Sequence, residues 1–281
     1  MLLVSSLSAF AGDWPVISQV NELFSEEKYQ EAFTTLEKAL PAATGDYRAA
    51  VLTEMSRTSI KLGTALKKSG ATQSVLLAHY EKGEAYAQEA LKLNPNSAQA
   101  WYWKSSNMGR WGQTKGVLDS LFKAGDMKAD LEKVLKLDPE MGDAYYVLGI
   151  MYQALPGWPV SFGNIAWSVS FARKSLTLMK EEPVYDYSLE LAKHLWARNW
   201  EAGKRRSEQA GMKAEFLKVS SAFEKGAYFE SQVVLSNQSD RQEAYELVKK
   251  TIELLEAIGV KKKSQVDDLA GAKTLLASMG R

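Results

Sequence analysis

Apolar residues recur along this chain at three- and four-residue steps, the spacing of one face of an α-helix. In KYQEAFTTLEKAL (28–40), Tyr29, Ala32, Leu36, Ala39 and Leu40 form one such stripe. AYAQEALKLNP (85–95) repeats it through Ala87, Ala90 and Leu91, and KADLEKVLKLDP (128–139) through Leu131, Val134 and Leu135. FARKSLTLMKEEP (171–183) ends in the same way. Period-two alternation is scarce, and the seven prolines fall at segment ends. The pattern predicts an all-α chain.

The closing prolines are evenly placed: Pro95, Pro139 and Pro183 lie 44 residues apart, and Trp101, Tyr145 and Leu189 follow in the same register. A proline cannot continue a helix but fits the turn or first turn of the next one. A fixed period of this length predicts a solenoid of antiparallel helix pairs, each burying its apolar face on its neighbours. Residues 12–281 then form a single helical-repeat domain. Its units fall at about 14–50, 51–94, 95–138, 139–182 and 183–235, with capping helices over 236–281. Residues 14–40 are predicted as a helix and part of a first pair, and the NQSD turn (237–240) offers an N-cap at Ser239 or Asp240.

EALKLNPNSAQAWYW and EKVLKLDPEMGDAYYVLGIMY resemble tetratricopeptide repeats. Tyr145, Leu148, Gly149 and Tyr152 match the aromatic, Leu-Gly and Tyr pattern of that family's first helix, and Ser105 stands where Gly149 does one unit later. A regular repeat of this family has 34 residues, so about ten are extra. They are expected between the two helices of a pair, in GRWGQTKGVLDSLF (109–122) and ALPGWPVSFGNIAW (154–167). With these inserted inter-helix segments, residues 80–200 resemble the T-component (TatT) family of TRAP transporters. That resemblance implies a helical-repeat protein outside the cytoplasmic membrane, an extracytoplasmic solute-binding protein as partner, and homo-oligomers. It also implies a lipoprotein, yet the chain has no cysteine to acylate.

Lys plus Arg number 35 and Asp plus Glu 34, so the net charge is +1 and nothing points to nucleic acid or an anionic membrane as main partner. The absence of cysteine excludes disulfides, thiolate metal sites and a cysteine nucleophile. MLLVSSLSAFAGDWP opens with an apolar run ending in Ala9-Phe10-Ala11, which suits a signal peptidase, although no basic segment precedes it. Residues 1–11 are therefore expected to be a truncated signal peptide cleaved after Ala11, placing the protein in the periplasm. A cytoplasmic location is the alternative. No later stretch has 18 uncharged apolar residues, so no membrane span is expected.

Enzyme chemistry finds little support. GRWGQTKG lacks the spacing and the Ser/Thr of a phosphate-binding P-loop. The two histidines, His79 and His194, form no metal-ligand motif, and no GxSxG elbow is present. Carboxylate pairs such as Glu26-Glu27 and Asp267-Asp268 read as solvated helix faces. No catalytic residue, metal or cofactor is expected.

What remains is recognition. With Trp101 and Tyr145 facing the core, the groove falls to Tyr102, Ser106 and Arg110 from one unit, Tyr146, Ile150 and Gln153 from the next, and Glu190 and His194 from the third. Trp111, Trp158 and Phe162, from the inserted segments, would edge it. This lining suits a hydrophobic small molecule or an apolar segment of a protein partner. Two other readings stay open: the tyrosines pack on adjacent helices, and Trp111, Leu118, Phe122, Trp158, Phe162 and Trp167 simply cover the ends of helix pairs. The chain is thus expected to be a non-catalytic extracytoplasmic protein binding a partner or apolar ligand, with a cytoplasmic interaction scaffold as the alternative.

Overall fold

A computed structural model describes residues 14–179 and 185–280, with only the backbone over 117–120. The expected signal peptide (1–11), Pro183 and the side chain of Leu118 lie outside the described residues. Every regular element among the described residues is helical, and none of these helices is long and apolar enough to cross a membrane. The described residues fall into two compact units, the first ending at Asp138 and the second starting at Pro139.

The first unit is a series of helix pairs: α1 (Pro15–Ser25) with α2 (Tyr29–Ala39), α3 (Gly45–Lys68) with α4 (Gln73–Leu93), and α5 (Ala98–Lys115) with α6 (Val117–Leu137). The helix predicted over 14–40 is broken at Glu27, whose φ of 59° is left-handed. There Lys28 N–H donates to the Leu23 carbonyl at 2.8 Å and Glu27 N–H to that of Phe24 at 3.0 Å, closing α1 and turning the chain back. Val20, Ala32, Leu36, Val51 and Met55 form one core cluster, and Leu52, Ala90, Leu91 and Ala100 the next. Between α3, α4 and α5 the packing is partly polar. The Asn107 amide donates to the Ser56 carbonyl and hydroxyl at 3.1 and 3.0 Å, in a space that Gly83 leaves open.

The first inserted segment is not a loop. α5 runs on to Lys115, and only Gly116, with φ of 111°, separates it from α6. Gly109 and Gly112 each cost a helix about 1 kcal/mol relative to alanine, which burial of Trp111 in the α4 cluster can offset. The extra length of this repeat lengthens its helices.

In the second unit α7 (Gly142–Ala154) pairs with α8 (Ile165–Leu178) across a genuine loop over 155–164. The Asn164 side chain ends that loop by accepting from Ala166 and Trp167 N–H at 3.0 and 3.2 Å, the N-cap of α8. The unit expected over 183–235 is not a helix pair. α9 (Tyr185–Arg198) packs instead on α12 (Asp240–Glu256), which carries α13 (Lys263–Met279). α10 (Ala202–Lys218), α11 (Ala222–Ala227) and a 3-10 turn (Phe229–Gln232) come between them in sequence, and α11 and the turn lie against α8. Ser239 is the N-cap of α12, in a reciprocal capping box with Gln242.

The 44-residue register has a physical counterpart. The Trp101 indole donates to the Pro95 carbonyl at 2.9 Å, and the Tyr145 hydroxyl to that of Pro139 at 3.0 Å. In both units the aromatic six residues after the proline ties down the turn before its helix. Gly149 keeps its place because a side chain there would press on His194 and on the backbone of Ser168.

Candidate functional site

On α5, Tyr102, Ser106 and Arg110 follow one another at helical spacing. Tyr102 is only 7% exposed and meets Trp103 edge-on at 4.6 Å. Ser106 is half-buried, with its hydroxyl lacking a hydrogen-bond partner among the described residues. Arg110 is exposed and bonds the Gln113 amide oxygen at 3.2 Å. Trp111 is 7% exposed: its indole donates to Glu81 at 2.9 Å, and Phe122 and the Lys123 ammonium cover its ring. Of this set, Arg110 alone stands in solvent.

On α7, Tyr146 stacks on Tyr187 at 4.0 Å, and Ile150 is half-buried. Gln153 meets His194, whose Nδ1–H donates to the amide oxygen. His194 is fully buried, and its Nε2 has no partner among the described residues. Burial lowers its pKa from 6.5 to about 3, with the neighbouring Lys193 charge adding a smaller push, so the imidazole stays neutral near neutral pH. It packs against α7 rather than facing a groove.

The aromatics of the second inserted segment divide. Phe162 meets Tyr152 at 5.5 Å, and Trp167 meets Tyr152, Phe223 and Tyr228 at 5.4 to 6.4 Å. These two cover the end of the helix pair. Trp158 does the opposite. It is 90% exposed, with Val160 also in solvent. The loop beneath it is pinned by Gly163 N–H to the Pro156 carbonyl and Asn164 N–H to that of Tyr152, both at 2.9 Å.

The largest feature missed in the sequence is ionic. Arg198 lies buried between Glu230 and Asp240 and bonds both, with 2.8 Å contacts to both Asp240 oxygens. Arg173 joins Glu230 at 2.9 Å to Glu243 at 2.8 Å, and Arg205 joins Asp240 at 3.1 Å to Glu243. Hydrogen bonds and charge from these arginines hold the carboxyls of Glu230 and Glu243 below their usual range, outweighing the burial that opposes them. This alternating cluster fastens α10 and the 3-10 turn to α8, α9 and α12. Its members lie up to 70 residues apart, and no local pattern announces them.

Comparison with known proteins assigns the architecture. A thermophilic tetratricopeptide protein from Thermus thermophilus aligns over 93% of this chain and 97% of its own, with 12% identity and a TM-score of 0.58. The chain has a tetratricopeptide-like, all-α helical-repeat fold. A structure described as a MamA RS-1 ArsTM double mutant aligns over 65% of this chain and 83% of its own, at 18% identity and a TM-score of 0.37, too low to bear on the fold. The family model described as regulator of microtubule dynamics protein 1-3 matches residues 16–155, just under half of the chain. Among curated proteins none matches. The resemblance to transporter T-components gains no support from these comparisons.

Proposed function

We propose that this chain is a non-catalytic scaffold that binds a protein partner, with Trp158 as the anchor of the contact. The exposure of that tryptophan carries the reading. A large aromatic held in water on a hydrogen-bonded loop costs little further ordering when a partner covers it, and tryptophan is enriched among residues that dominate binding energy. Among the groove residues expected from the sequence that belong to the same unit as Trp158, Tyr146, Ile150, Gln153 and Phe162 are half-buried.

Photo-crosslinking from position 158 in the native cell tests this. A discrete polypeptide captured there, and not from exposed Lys273 on α13, supports the reading; the same products from both positions oppose it. The name of the matched family speaks of microtubule regulation, which makes polymerised tubulin a partner to include in a cosedimentation assay. An apolar ligand, a solute-binding partner and self-association stay within the proposal as alternatives for what covers Trp158. An extracytoplasmic location rests on residues 1–11 alone. N-terminal sequencing of the native protein tests it, cleavage after Ala11 favouring export and a retained Met1 opposing it.

A further inference from the structure

In the first unit, the C-terminal ends of α3 and α5 flank a recess of about 370 Å³ whose lining includes Lys67, Lys68, Arg110, Gln113 and Tyr80. That volume is near the lower end of the roughly 300–1,000 Å³ range of ligand pockets. The cations come from two helices, and no carboxylate among the described residues lines the recess. We infer that this is an oxyanion-binding site, accepting a carboxylate or phosphate group between Arg110, Lys67 and the Tyr80 hydroxyl.

The competing explanation is that the cations merely neutralise two helix ends. Each helix C-terminus carries about half a negative charge, so two amount to about one, against two positive side chains in Arg110 and Lys67 alone. The terminal carbonyls also have other donors. Gly70 N–H bonds the Lys67 carbonyl at 3.1 Å, Ala71 N–H that of Leu66 at 3.0 Å, and the Gln73 amide that of Thr114 at 2.8 Å. At least about one positive charge is left over, facing the recess.

Tyr80 supplies an independent observation. The residue is 2% exposed and packed in a cluster with Leu76 and Trp111, yet it lines the recess, and its hydroxyl makes no hydrogen bond to a described residue. A phenol hydroxyl is a donor as well as an acceptor, and an oxyanion in the recess would accept its proton. Gly63 makes room for this ring, since a side chain there would press on Tyr80 Cε1 and on the hydroxyl. The threonines beside the recess contribute no donors, because Thr64 and Thr114 give their protons to carbonyls of their own helices at 3.0 and 2.8 Å.

The site does not depend on the Trp158 contact. It is tested by calorimetric titration of the full chain with inorganic phosphate and, separately, with a capped hepta-glutamate peptide. Binding of phosphate alone identifies a free anion as the source, and binding of the peptide alone identifies acidic side chains of a polypeptide; either result, or both, supports the site. Arg110→Gln or Lys67→Gln removes a charge-assisted hydrogen bond and is expected to weaken binding about tenfold or more. Tyr80→Phe keeps the packed ring and is expected to weaken binding several-fold with an unchanged Tm. Failure of both probes to bind overturns the inference. So does equal weakening by Lys136→Gln, a change of exposed charge on α6, because that would mark the attraction as unspecific.

Discussion

Replacing Gly226 by alanine adds one methyl group against two packed rings of the second unit, and replacing Gly211 adds the same group where it touches nothing. A methyl on Gly226 would lie 2.5 Å from Tyr145 Cε1 and 2.9 Å from Phe171 Cε1. Neither ring has an easy retreat. The Tyr145 hydroxyl is tied to the carbonyls of Pro139 and Ala222 at 3.0 and 3.3 Å, and Phe171 is enclosed by Tyr152 and Phe223 at 5.5 and 5.4 Å. Overpacking a closed core costs about 1–3 kcal/mol, and two immobile rings place this case in the upper part of that range. Alanine returns up to about 1 kcal/mol as the better helix former, leaving a net loss of about 1–2 kcal/mol. Gly211, exposed on α10 with no atom within 4 Å of an added methyl, gains the helix term alone, about 0.5–1 kcal/mol. The two variants should therefore shift stability in opposite directions. Thermal unfolding followed by tryptophan fluorescence reads the difference, at about 2–4 °C per kcal/mol for a chain of this size. A Gly226→Ala protein as stable as Gly211→Ala would refute the claim that the ring packing excludes a side chain.

The remaining expectations concern charge and exposure. Because His194 has its pKa lowered to about 3, the unfolded chain takes up a proton below pH 6.5 that the folded imidazole refuses. Stability should then fall as pH drops from 6.5, by about 1.4 kcal/mol per pH unit. The carboxyls of Glu230 and Glu243, held below 4.5, add their own loss only under that value. His194→Gln should flatten urea-unfolding free energies between pH 6.5 and about 5; an equally steep slope in the variant would assign the effect to another group. Arg198→Met leaves Glu230 and Asp240 short of a buried partner and is expected to cost about 3 kcal/mol or more, read as a lower urea midpoint, whereas a loss under about 1 kcal/mol would mean that Arg173 and Arg205 suffice. Trp158→Ala should leave Tm unchanged and weaken partner binding about 30-fold, the equivalent of a 2 kcal/mol anchor; an unchanged Kd would remove Trp158 from the interface.

Much of the helical plan was legible because it is periodic. Stripes at three- and four-residue steps located the helices, and the proline spacing located the turns that Trp101 and Tyr145 fasten. The break at Glu27 was not legible, since its signal is a left-handed backbone angle at a residue that seldom adopts one. The first inserted segment was expected between two helices and lies within them, because two glycines weaken a helix without ending it and Trp111 is buried there. The candidate groove fared unevenly for a related reason. Helical spacing places Tyr102, Ser106 and Arg110 on one face of α5, but it does not say which of them a neighbouring helix covers.

The sequence by itself determined what depends on neighbours in the chain: the helical period, the repeat register, the Ser239 cap and the absence of thiol chemistry. The tertiary structure alone decided what depends on distant residues meeting. It gave α9 to α12 rather than to the next helix, joined three arginines with three carboxylates in one cluster, and left Trp158 in solvent while Trp111 and Trp167 were covered. Local propensity acts over a few residues and is written in the sequence nearby. Burial and charge pairing are settled by which surfaces come together, and in this chain those surfaces lie tens of residues apart.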